Sequence, residues 1–171
     1  MAKYRRYKRR FYKKGRWSAN MGVVDQAINI PVGEFFASID LAANPQQTTS
    51  TVSQQYTVKN VEFSYKFELN NIDENRDVEM LQMYIMYIPQ GFDITLNTVT
   101  QHPEWIMNYQ FIGNPDSDGI QRYQPRKIKT RLARKLQTGD SIKLLVMGNN
   151  KSNSTIGGNC SGVIRWWTKA N

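Results

Sequence analysis

Over residues 61–69 every second position is apolar, Val61, Phe63, Tyr65, Phe67 and Leu69, while Glu62, Ser64, Lys66 and Glu68 fall between them. A period of two sends the two sets to opposite faces of an extended chain, so this segment is a strand with one face buried and one wet. Shorter runs rich in β-branched and aromatic residues predict further strands at residues 23–32, 35–41, 79–88, 92–99, 109–112, 126–136, 141–147 and 162–168. Turn chemistry separates them: Asn44-Pro45, Asn70-Asn71, Pro89-Gln90-Gly91, Asn114-Pro115-Asp116, Thr138-Gly139-Asp140 and a polar stretch over residues 148–158. The best helix start is His102-Pro103-Glu104, where Pro and an early acid suit a first turn, which predicts one short helix near residues 103–108. Many short strands joined by polar turns make an all-β sandwich or barrel.

The charge of the chain is segregated. Residues 1–16 hold Lys3, Arg5, Arg6, Lys8, Arg9, Arg10, Lys13, Lys14 and Arg16 and no acid, and the remaining 14 Lys and Arg are matched by 14 Asp and Glu. The formal net charge of +9 is therefore the charge of this arm. A run of like charges repels itself and buries nothing, so it is a solvated tail whose natural partner is a polyanion. Between its charges stand Tyr4, Tyr7, Phe11 and Tyr12. Rings beside cations suit a single strand, whose unpaired bases offer faces for stacking while Lys and Arg neutralise phosphates. Contact with an acidic membrane surface, or a solubilising or nuclear import tail, are the competing readings. The division expected is an arm over residues 1–17 and one domain over residues 18–171. The body has about 155 residues, enough to bury roughly 70% of its extended surface without cross-links.

Cys160 is the single cysteine, which rules out an intrachain disulfide. No signal-type apolar segment follows the basic start, where Ser18, Asn20 and Asp25 come instead, and an intracellular product is expected. The longest apolar run, residues 83–88, is far below the roughly 20 residues of a spanning helix, so no membrane span is expected. Chemistry-bearing constellations are missing: His102 has no second His or Cys pair with which to hold zinc, and no Gly-x-x-x-x-Gly-Lys loop cradles a phosphate. No enzyme, cofactor or metal is expected. Asp73, Glu74, Asp77 and Glu79 read as an acidic turn, with calcium between subunits as the alternative.

Two further features point outward. In residues 80–88 only Gln82 is strongly polar, and Trp166 and Trp167 are adjacent, so apolar side chains fall on both pleat faces. Such a surface is covered either by the chain's own loops or by a partner, and Met83, Tyr84, Met86, Trp166 and Trp167 are the expected subunit contacts. A second cationic cluster, Arg122, Arg126, Lys127, Lys129, Arg131, Arg134 and Lys135, has no acid between Ile120 and Leu136, with Arg126, Lys127, Lys129 and Arg131 as its candidate phosphate ligands, and Lys127, Lys129 and Arg131 alternate with Ile128, Thr130 and Leu132. One strand face is then cationic, a phosphate-binding surface or a solvated, salt-bridged one.

The order of the basic arm, Tyr56-Thr57-Val58-Lys59-Asn60-Val61-Glu62-Phe63, Tyr87-Ile88-Pro89-Gln90-Gly91, His102-Pro103-Glu104-Trp105-Ile106, Leu132-Ala133-Arg134-Lys135-Leu136-Gln137-Thr138-Gly139-Asp140-Ser141-Ile142 and Gly162-Val163-Ile164-Arg165-Trp166-Trp167 resembles the capsid proteins of small circular single-stranded DNA viruses, the circovirus and cyclovirus group. The resemblance implies one eight-stranded jelly roll of two antiparallel sheets, and an icosahedral (T=1) shell of about sixty identical subunits. It further implies an arm turned inward on viral single-stranded DNA, a virion protein that passes through the host nucleus, and import receptors as partners. An RNA-packaging satellite-virus coat or a cellular single-strand-binding or ribosomal-type protein would share the arm. A jelly-roll lectin would not.

Overall fold

The structure is a computed structural model that describes residues 17–43, 55–69, 78–113 and 126–170. The arm residues named above lie outside the described residues, apart from Trp17. Among the described residues nine strands are present: β1 Ser18–Ile30, β2 Gly33–Ala43, β3 Tyr56–Leu69, β4 Val78–Ile88, β5 Ile106–Gly113, β6 Arg126–Lys129, β7 Arg134–Leu136, β8 Ser141–Asn150 and β9 Ile156–Ala170. Sheet A runs β1-β9-β3-β6, with β7 also on β3, and sheet B runs β2-β8-β4-β5. All pairings are antiparallel.

The strand count resolves into eight lanes. β6 pairs Lys129 with Glu62 and β7 pairs Leu136 with Tyr56, on the same edge of β3, so the two short strands are one interrupted lane. The predicted strand over residues 126–136 therefore breaks at residues 130–133, although Thr130 N–H still bonds the Val61 carbonyl at 2.8 Å. First strand beside last, second beside eighth, and a chain that changes sheet at every step except from β4 to β5 and along the β6–β7 lane are the topology of a jelly roll.

The inner faces share one core. Val61, Phe63 and Tyr65 of β3 and Cys160 and Ile164 of β9 meet Leu81, Met83 and Ile85 of β4 and Ile142, Leu144 and Val146 of β8. A Cβ at Gly162 would collide with the Ser64 carbonyl, so only glycine lets β9 lie this close to β3 at the Phe63 and Tyr65 rings. Burial pushes the Cys160 thiol up to about 12, which makes it an inert packing residue.

Residues 92–99, expected as a strand, form a covering segment instead. Thr95 N–H bonds Thr98 Oγ1 at 2.8 Å, and a one-turn helix α1, Thr98–Gln101, follows. Side-chain-to-backbone bonds of this kind compete with ladder formation. The helix predicted near residues 103–108 is only a 3-10 turn, Pro103–Trp105, because Ile106 already begins β5. Phe92, His102 and Trp105 interlock, with His102 stacked on Trp105 at 3.8 Å and Phe92 edge-on to Trp105 at 4.7 Å. This segment roofs Met86, Ile88 and Leu145 on the outer side of sheet B.

Asp140 ties the ends of β4 and β7 together. Its buried carboxylate accepts from Tyr87 Oη at 2.8 Å, from Gln90 N–H at 3.0 Å and from Gln137 N–H at 2.8 Å. Burial and this carboxylate push the Tyr87 phenol up to about 12. Asp140→Ala strands three donors and should lower unfolding stability by about 3 kcal/mol, against about 1 kcal/mol for Tyr87→Phe. Urea titration of both variants checks this, and equal small losses would refute the role given to Asp140.

Candidate nucleic-acid interface

The chain enters the described structure at Trp17, the last residue of the arm. Lys59 Nζ lies 3.8 Å from the centroid of the Trp17 ring, so the arm joins the body on the outer face of sheet A. Antiparallel pairing brings a set of cations to this same end. Lys59 is opposite Trp167, Glu62 is opposite Arg165 on one side and Lys129 on the other, Ser64 is opposite Lys127, and Thr57 is opposite Lys169 and Lys135. These positions alternate with the buried Val58, Val61, Phe63, Ile128, Leu136 and Ile164, which fixes them as outward. Lys127, Lys129 and Arg165 thus stand around one acid, Glu62, and Lys59, Lys135 and Lys169 continue the same cationic face toward Trp17.

Glu62 takes Lys127 Nζ at 2.7 Å. That hydrogen bond, opposed by partial burial and helped by the charges of Lys127, Lys129 and Arg165, holds the carboxyl below its ordinary range. The other acids on this face are at its far end, where Glu68 pairs with Lys66 and Asp25 accepts from Asn159 Nδ2 at 2.9 Å. The cationic end is also the end where the arm leaves.

The structure divides the cluster expected over residues 126–131. Lys127 and Lys129 face outward and Arg131 is exposed in the break between β6 and β7. Arg126 turns to the other side, where Nη1 donates to the Ile112 carbonyl at 3.3 Å and braces β5. Arg126 thus stands apart from the outward Lys127 and Lys129, on the side of β6 that meets β5. Lys59, Arg165 and Lys169 belong to the site and were missed, since they are far from residues 126–131 in sequence and meet them only through the β3 pairings.

The adjacent tryptophans separate as strand geometry demands. Trp166 packs on the core, and Trp167 lines a cleft of about 190 Å³ with Asn60, Glu62, Lys129, Thr130 and Arg131. Two expected subunit contacts are corrected: Met83 lies in the central core and Met86 under the residue 92–106 segment, both with 0% exposure, so neither can meet a second chain. The apolar second face of β4 is covered there by the chain itself. Tyr84 stays half-buried, stacked 6.0 Å from Tyr109.

β5 is inverted in polarity. Its polar side chains face the other sheet, Asn108 donating to the Lys129 carbonyl at 2.6 Å and Gln110 accepting from Tyr65 Oη at 3.2 Å. Its rings face out, with Tyr109 65% and Phe111 56% exposed. Charges on the outer side of sheet B are of both signs, including a Lys143–Asp40 pair at 2.9 Å, and no cationic end like that of sheet A occurs there among the described residues.

No protein-family model matches the chain, and no curated protein matches it. Among solved structures, one of turnip yellow mosaic virus is similar at 13% identity and TM-score 0.42, over 92% of this chain and 94% of that one. Another, of the infectious bursal disease virus Gx strain, has 11% identity and TM-score 0.39 over 91% of this chain and 32% of that one. Likeness at this level carries no argument, and the jelly roll rests on the strand order.

The Glu62–Lys127 bridge has a pH signature. A depressed carboxyl contributes stability that is present above its unfolded value, near 4.5, and is lost as pH falls through the lower folded value. Glu62→Gln should flatten the stability profile below pH 4.5, by less than about 1 kcal/mol because Lys127 is half in solvent. Urea unfolding at pH 3 to 6 reads this, and an unchanged acid limb in the variant would rule it out.

Proposed function

We propose that this chain is a viral capsid protein whose identical copies close into a small shell, with sheet A inward and packaged single-stranded nucleic acid held by the arm and the cationic end of that sheet. The observation that carries the reading is the Lys59–Trp17 contact, which roots the nine-charge arm on the face where six further cations converge. Arm and face then form one continuous surface for phosphates. Self-assembly is supported by the outward rings of β5, since exposed aromatics on a jelly-roll edge mark a partner surface. Repeated identical contacts of a curved sandwich close into a shell of point-group symmetry.

The resemblance to circovirus and cyclovirus capsid proteins specifies the cargo as circular single-stranded DNA, the copy number as about sixty, and nuclear import as a second use of the arm. Catalysis has no part in this function. Trp167 and Tyr84 remain proposed contacts, Trp167 with nucleic acid as well as with a neighbour, and Trp166 acts through the core on which it packs.

Electron microscopy and size analysis of the purified protein test the reading. Shells containing nuclease-protected nucleic acid that DNase, and not RNase, destroys after disruption are expected. A protein that stays monomeric across salt and pH while binding single strands would overturn the shell in favour of a cellular binding protein, and RNase-sensitive cargo would overturn DNA. Deleting residues 2–16 should leave a body with the melting temperature of the full chain and shells without cargo. If all nine arm charges meet phosphates of one strand, log affinity should fall with log salt at a slope of about −6, from roughly 0.7 per contact. Lys-to-Gln and Arg-to-Gln changes in the arm should flatten that slope, and a slope that does not respond would show that the arm is not the phosphate ligand.

A further inference from the structure

We propose that the cleft beside Trp167 is a pocket for one unpaired base bearing an exocyclic amine, with its phosphates held by Lys129 and Arg131. The proposal rests on the reading of sheet A as the nucleic-acid face and adds a base preference to it. The pocket exists because two irregularities coincide. β3 shifts register against β9 between Lys59 and Glu62, with Asn60 at φ 52°, and on the other edge of β3 the lane breaks between β6 and β7. An extra residue on one strand opposite a gap in its neighbour leaves a hole in the sheet surface. Its volume of about 190 Å³ is below the roughly 300 Å³ at which sites for drug-sized ligands begin, and suits one flat ring system.

The lining supplies what such a ring needs. Trp167 offers an indole for stacking, which by itself accepts any base. Lys129 and Arg131 offer charge for the flanking phosphates, Arg131 with the planar fork that matches phosphate oxygens. Thr130 is a fixed wall, since its hydroxyl donates to the Met107 carbonyl at 3.0 Å and accepts Leu132 N–H at 3.1 Å. Asn60 and Glu62 are left to face the base edge.

Glu62 is the residue that carries the preference. An acid among six cations weakens phosphate binding, so on this face it opposes the general task. A carboxylate only accepts hydrogen bonds, and Lys127 at 2.7 Å uses one of its several acceptor positions. Cytosine, adenine and guanine present an amino group to such an acceptor. Thymine and uracil set a carbonyl oxygen on either side of their single N–H and repel it. A polar site left unpaired by the wrong ligand discriminates more sharply than one that only fits a shape.

The test uses the full chain at neutral pH with oligodeoxycytidylate and oligothymidylate of one length, followed by fluorescence anisotropy at several salt concentrations. About tenfold tighter binding of the cytidylate is expected, the size of one good side-chain-to-base contact. Glu62→Ala should release Lys127, raise affinity for the thymidylate and erase the preference. Trp167→Leu should weaken both ligands by about tenfold at an unchanged salt slope, and Trp167→Phe should restore most of that loss. Equal affinities in the unaltered protein, or a preference that survives Glu62→Ala, would overturn the pocket while leaving the cationic face and arm in place. Failure to bind either oligonucleotide at any salt would overturn the proposed function as well.

Discussion

The structure depends on one register shift in β3. This strand pairs with β9 on one edge and with the β6–β7 lane on the other, and it carries Val61, Phe63 and Tyr65 into the core. Between Lys59 and Glu62 the register to β9 moves by one residue, and the face of every side chain before that point is reversed relative to strict alternation. Without the shift Lys59 would share the parity of Val61 and point into the core, where an unpaired ammonium costs several kcal/mol. With it, Val58 is buried and Lys59 stands outward against the Trp17 ring. The core, the place where the arm attaches and the cleft beside Trp167 all follow from that one residue.

A face with six cations to one carboxylate is electrostatically unbalanced in the isolated chain. Solvent and salt screen the repulsion beyond about 8 Å at physiological ionic strength, and Lys129 and Arg165, two lanes apart on either side of Glu62 and so roughly 10 Å from each other, sit near that limit with the carboxylate between them. Glu62 relieves part of this by pairing with Lys127. The arm adds nine charges at the same edge. Concentrating charge in this way raises the positive potential over that end of sheet A.

The legible part of the fold was whatever one strand could state alone. β3 announced itself because one face is wet and the other is buried, and the outward direction of Lys127 and Lys129 followed from alternation with Ile128. Residues 92–99 misled because Phe92, Ile94 and Val99 are strand-forming types, while what decides their conformation is local bonding through Thr95 and Thr98 and the chance to roof Met86 and Leu145. The covering of the second face of β4 by its own chain was one of two readings, and only tertiary structure could choose between them. Lys59, Arg165 and Lys169 were not legible as a site, since a register shift and a pairing across about a hundred residues bring them together.

β5 shows why a period of two does not by itself assign an interior. Tyr109 and Phe111 alternate with Asn108, Gln110 and Ile112, and hydrophobicity alone would turn the rings inward. They face out because the inner side of this edge strand meets the open edge of sheet A, where the Lys129 carbonyl and the Tyr65 hydroxyl need partners that Asn108 and Gln110 supply. Left unmet, the part-buried Tyr65 hydroxyl would cost about 1–3 kcal/mol, comparable to the gain from burying one aromatic ring, while the more exposed Lys129 carbonyl adds less. Satisfying the sheet edges from within the chain therefore expels two rings to the surface. Tyr109 keeps part of its contact by stacking on Tyr84 across the outer face, while Phe111 is left exposed, so polar satisfaction on the inner side outweighs the burial of these two rings.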